Sequence, residues 1–138
     1  MINDKLQIYL YTLIIDIILI TILLTQNLNL FDTLFIYSML ILHIIFYYSL
    51  KTTNKPIINI LHYILFISIT IGILLSNKYL VLLCIGVLVL IQVLWIIHKN
   101  CILNNISYIE HGYGESITIY TVLITLVYFI KLFKIINK

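Results

Sequence analysis

Polar residues break this chain at intervals, and the stretches between them are almost continuously apolar. The apolar blocks cover residues 7–25, 34–50, 57–76, 79–97 and 117–136. None alternates with a period of two, so the pattern excludes the strands of a transmembrane barrel. Each block is long enough to cross a hydrocarbon core of about 30 Å as an α-helix. The pattern therefore predicts an all-α integral membrane domain spanning residues 1–138, a bundle of five transmembrane helices. The first block resembles a signal peptide in position, but it is too long, holds Asp16 and lacks a small-residue cleavage site, so it reads as a retained span.

The breaks have recognisable chemistry. Residues 26–33 read as a short polar loop, and Pro56 suits the first turn of the third helix. Asn77-Lys78 reads as a tight turn that folds the third and fourth blocks into an antiparallel hairpin. Small residues at four-residue spacing, Ser68, Gly72 and Ser76, let helices approach closely in lipid, and Gly86 falls at a similar depth on the facing block. These four residues predict tight packing within that hairpin, in preference to a homodimer that would use the same stripe.

Composition supports the same class. The chain is 63% hydrophobic and 9% charged, with mean hydropathy +1.17. A soluble domain carries about a quarter charged residues. The net charge of +3 is small and dispersed, which argues against a nucleic-acid partner. Lipid is the expected partner, with a homo-oligomer or another membrane protein as further candidates. Cys84 lies inside an apolar block and Cys101 beyond its end, about 25 Å away at the helical rise, so the pair predicts no disulfide.

Lysine placement leaves the topology open. With five spans, the N-terminal face, here face A, carries Lys5, Lys51, Lys55 and Lys99. Face B carries Lys78, Lys131, Lys134 and Lys138, so the positive-inside rule gives no orientation. If the last block lies on the surface, one face holds seven lysines and the other one. Four spans plus a surface C-terminal helix is therefore the alternative. Residues 117–130 carry no charge, and lysines at the end of a span can snorkel into the headgroups, which favours five.

Ionisable residues inside the blocks are the first candidate site. Asp16 and His43 fall at mid-span, and His62 and Gln92 lie in the face-A halves of their blocks. Such residues are costly in lipid and mark function by default. They predict one intramembrane polar cluster opening toward face A. It would act either as a paired Asp–His bond that fixes the helices or as a proton or ion relay. A haem held between His43 and His62 is disfavoured by their difference in depth.

The second candidate is the long polar connector. His98, Cys101, His111 and Glu110 could serve a surface enzyme, but His-x2-Cys-x9-His is not a zinc spacing and Cys101 has no oriented partner base. No metal or other cofactor is expected. Gly112-Tyr-Gly114 lacks the preceding residues of a potassium-channel filter. Ile102, Leu103, Ile106 and Ile109 recur at helical spacing, which predicts a short interfacial helix over about 101–110. Gly112 and Gly114 end it, Ser116 caps the last span, and Trp95 and Tyr108 sit at the interface. Asn105-Ile-Ser107 is a glycosylation pattern if face A is lumenal.

Within this connector, Trp95, His98, Asn100, Cys101, Leu103 and Glu110 form a pattern that resembles small multi-span membrane proteins of large DNA viruses. That family has no assigned activity, so the resemblance implies membrane residence and no mechanism. The sequence thus points to a structural or interaction component of a membrane. A small transporter or proton-conducting subunit is the first alternative, and a membrane-surface enzyme the second.

Overall fold

A computed structural model of the chain describes residues 4–98 and 114–137. Among these there are five α-helices and no strand: α1 (Asp4–Thr25), α2 (Leu30–Thr52), α3 (Lys55–Ile71), α4 (Lys78–His98) and α5 (Gly114–Ile136). A short 3-10 turn, Gly72–Leu74, follows α3. All five helices are long and apolar enough to cross a membrane. The interfacial helix expected near 101–110, Ser116 as a cap, and the side chains of His98, Cys101, Glu110 and His111 lie outside the described residues.

Short polar residues set the helix ends, because the first backbone N–H groups of a helix have no partner within it. Asn29 caps α2 by accepting from the Asp32 N–H at 2.7 Å. Asn54 caps α3, with Pro56 in its first turn. The Asn77 side chain accepts from the Tyr79 and Leu80 N–H groups at the start of α4. Thr53, at φ 56°, terminates α2, and the Asn54 N–H returns to Ser49 O at 2.9 Å. Behind Asn29 and Asn54, α2 and α3 begin four and two residues ahead of their apolar blocks, and behind Asn77 α4 begins one residue ahead, since capped polar residues join a helix without being apolar. Within the helices, Thr12, Thr21, Ser38, Ser49, Thr70 and Thr125 each donate to the carbonyl four residues earlier, which satisfies the hydroxyl without water.

The main helix pairs are α1 with α2, α2 with α3, and α4 with α5, and α1 also packs on α4. The core is concentrated in the face-B half, around Leu19, Ile36, Ile69, Val81, Leu88 and Tyr128. A smaller cluster of Ile8, Leu50 and Ile58 lies near face A. The helix surfaces outside these cores stay apolar. Leu24 and Ile96 are 78% exposed and Phe133 is 70% exposed, alongside many other exposed Ile, Leu and Phe side chains.

The packing of α3 corrects one expectation. Ser68, Gly72, Ser76 and Gly86 do not zip α3 onto α4, and the extensive partner of α4 is α5. Gly86 is exposed, and a Cβ added there would meet nothing within 4 Å. The 3-10 turn and the Leu75–Asn77 link intervene between α3 and α4 in the chain, and the Tyr128 hydroxyl of α5 lies against Gly72. Gly72 is indeed a point of close approach, but the group above it is the Tyr128 hydroxyl, with Cys84 Sγ 3.3 Å from the position a Cβ would take. Ser76 instead receives a hydrogen bond from Asn29 Nδ2 at 3.0 Å. Gly72→Ala is expected to lower stability by about 1–3 kcal/mol, the usual penalty of overpacking. SDS titration in mixed micelles measures it. Adding Tyr128→Phe should recover part of the loss, because the clashing oxygen is gone. No recovery would show that the contact is not the cause.

Contacts along α5 bear on the four-span alternative. Tyr128 is fully buried and donates to Ile69 O at 2.5 Å, Lys131 reaches Ile73 O, and Tyr120 meets Phe66 edge-on. Gln92 on α4 reaches Thr125. These pairs run α5 alongside α3 and antiparallel to α4, as a lengthwise member of the bundle.

Candidate functional site

Asp16 belongs to the half of α1 where every third or fourth residue turns inward, between Thr12 and Leu19, which are both buried. On α2, His43 and Tyr47 are four residues apart and therefore share a face. Packing α1 on α2 brings the three together. The Asp16 carboxylate accepts on both oxygens, from His43 Nδ1 at 2.5 Å and from the Tyr47 hydroxyl at 2.8 Å. The Asp16 and His43 side chains are only 14% and 12% exposed. Tyr47 is held in turn by Tyr9 of α1. Their rings stack at 5.6 Å, and the Tyr9 hydroxyl donates to Tyr47 O at 3.2 Å.

This arrangement gives a charged or protonated carboxyl two directional partners on one neighbouring helix. In an apolar medium that is the condition under which such a group is tolerated. The Asp16–His43 bond joins a carboxyl and an imidazole directly across two helices. It also sets the rotation and depth of α1 against α2, since both side chains are short.

The other two members of the expected cluster go elsewhere. Gln92 Nε2 donates to Thr125 Oγ1 at 3.1 Å and so ties α4 to α5. His62 stacks on Phe66 at 5.3 Å, and its Nδ1 is buried without a hydrogen bond. The four residues therefore do not converge. Asp16 and His43 form one site, Gln92 belongs to another helix pair, and His62 meets His43 only across a cavity. That cavity has a volume of about 160 Å³ and is lined by residues of α1, α2, α3 and α4, among them His43 and His62.

Two positions that bond across elements carry weaker sequence signals. Tyr47 was legible only as the residue four beyond His43. Asp32 falls in residues 26–33, which read as a polar loop, although Asn29-x-x-Asp32 ahead of an apolar run has the spacing of a helix start. Asp32 is 1% exposed and accepts from the Ser76 and Asn77 N–H groups, both at 3.0 Å. It therefore staples the start of α2 to the link before α4.

Among the described residues, no three His, Cys, Asp or Glu side chains gather in a way that could hold a metal ion. Of the connector candidates, His98 ends α4 and the others lie outside the described residues. No family model matches the sequence, and neither a curated protein nor a solved structure does so.

Proposed function

We propose that this chain is an integral membrane protein of five spans that serves as a structural or interaction component of its membrane. The observation that carries this reading is the use made of the polar groups within the spans. Asp16 is bonded on both oxygens by α2, Gln92 is bonded by α5, and Tyr128 is bonded by α3. Each of these groups joins two helices. The outer surface left over is apolar, as lipid requires, and a soluble monomer does not expose patches of that extent. Lipid is thus the first partner, and a second membrane protein or another copy would dock on the same surface.

The interior also argues against conduction. From Asp16 toward face B, the residues packed between the helices are mainly apolar, among them Leu19, Ile22, Ile36, Met39 and Val81, all buried. A proton or ion path needs continuous polar lining or water, and these residues supply neither. The relay reading rests on the short Asp16–His43 bond, and one assay separates the two readings. Purified protein in liposomes is given a pH gradient, which a trapped dye reports. Wild type and Asp16→Asn should both leak no faster than empty vesicles. A wild-type flux that Asp16→Asn abolishes, with helicity retained, would establish the relay and sink the structural reading. Tags at the two ends, probed in intact vesicles, should be found on opposite faces if there are five spans.

A further inference from the structure

We propose that the face-B end of α4 and α5 is a docking surface for the phosphate head groups of anionic phospholipids. This rests on the five-span reading, because only then do the first turn of α4 and the last turns of α5 share a face. The register of the two helices agrees with it. Cys84 and Tyr128 meet over Gly72, and Gln92 reaches Thr125, so the chain from Cys84 back to Lys78 runs beside the chain from Tyr128 on to Lys134.

The charges at this end do not balance. Lys78 and Lys134 are exposed, and neither makes an ion pair. Asp32 is the only acidic side chain on the face. It is buried, and its two oxygens accept from the Ser76 and Asn77 N–H groups. Its remaining attraction acts on Lys131, whose amine is turned toward Ile73 O. Among the described residues, this face therefore offers no carboxylate to Lys78 or Lys134. Face A differs, because Asp4, Glu110 and Glu115 accompany its lysines in the sequence. Lys78 is also the first residue of α4, where the helix dipole disfavours a cation. An anion at this rim offsets both effects.

The positions beneath the two lysines suit hydrocarbon. Leu82 lies one turn deeper than Lys78 and Ile130 one turn deeper than Lys134, each four residues away on the same side of its helix, and both are exposed. The Lys78 amine stands 5.1 Å from the centre of the Tyr79 ring, an aromatic suited to the head-group level. Each lysine thus presents an amine at the rim above an apolar wall, which matches a phospholipid with its phosphate outward and its chains inward. A zwitterionic lipid brings its own cation and gains less from the contact.

The probe is phosphatidylglycerol with brominated chains, which quenches a nearby tryptophan. In a Trp95→Phe background, Tyr79→Trp reports beside Lys78 and Phe133→Trp beside Lys134. The protein is reconstituted in mixtures of phosphatidylglycerol and phosphatidylcholine with one lipid or the other brominated, which gives their relative association at each reporter. Phosphatidylglycerol should be preferred about fivefold, the effect of one lysine beside an anionic surface. Lys78→Gln should remove the preference at the first reporter and Lys134→Gln at the second. Lys51→Gln, exposed on face A, should leave both unchanged. Salt at about 1 M, which shortens the screening length to about 3 Å, should weaken the preference. Equal association of the two lipids overturns the proposal, and so does a preference that survives both lysine substitutions. A preference abolished by inorganic phosphate but not by NaCl of the same ionic strength marks a site for the free anion and overturns it as well. The end tags test the five-span reading separately, and tags on opposite faces with no lipid preference overturn the lipid docking alone.

Discussion

Replacing Asp32 by alanine is expected to lower the free energy of unfolding by about 2–4 kcal/mol. Asp32 is almost completely buried and accepts from two backbone N–H groups, those of Ser76 and Asn77. Alanine would leave both donors without a partner in the link that sets where α4 begins. Bonds to a carboxylate are the stronger kind, and both N–H groups are partly buried, so losing the acceptor carries part of their desolvation penalty. Asp32 also sits in the first turn of α2, where a negative charge is favoured by the helix dipole. Asp32→Asn should cost less, because one amide oxygen can still accept while its NH2 group faces a donor. Ser76→Ala removes only the bond from Asn29 at an exposed position, so it should stay within about 0.5 kcal/mol of wild type. SDS titration of the three variants gives the order directly. Equal losses for Asp32→Ala and Ser76→Ala would show that the two backbone bonds do not hold the link.

The second large effect is expected at Asp16. Asp16→Ala should destabilise the bundle by about 1–3 kcal/mol, because His43 and Tyr47 both lose their acceptor where lipid offers no replacement. The more telling quantity is the coupling. In a double-mutant cycle of Asp16→Ala with His43→Ala, the combined loss should fall short of the summed single losses by about 0.6–1.7 kcal/mol, the range measured for hydrogen bonds between membrane helices. Tyr47→Phe should cost about half as much as Asp16→Ala, since one of the two bonds to the carboxylate survives. Additive losses for Asp16 and His43 would mean that the bond seen between them contributes nothing to the fold.

These two carboxylates differ in how far the sequence discloses them. Asp16 is conspicuous, because a lone acid in the middle of an apolar run has no solvent to turn to, and His43 at mid-span is the natural partner. Asp32 is inconspicuous, because a polar residue among Gln26, Asn27, Asn29 and Thr33 looks solvated. Only the approach of another loop, more than forty residues away, buries it. The same contrast runs through Gln92 and His62. Their depth is readable from the sequence, but their rotation about the helix axis is not, because helices that are apolar on every side show no preferred face. One hydroxyl, Thr125, captured Gln92, and none captured His62.

The five helices, their approximate ends and the apolar character of their surfaces follow from local sequence alone. They do so because helix length and hydropathy are local properties, and because Pro56 and Asn77-Lys78 mark two of the boundaries. The tertiary structure decided which helices pair, and it chose α4 with α5 over the α3–α4 hairpin that the short turn implied. It did so where the Tyr128 hydroxyl lies against Gly72 and the 3-10 turn intervenes between α3 and α4 in the chain. It also decided that His43 and His62 face one cavity. In an apolar medium every helix face is acceptable to the solvent, so the choice among faces falls to shape and to a few polar bonds, and those exist only once the helices are assembled.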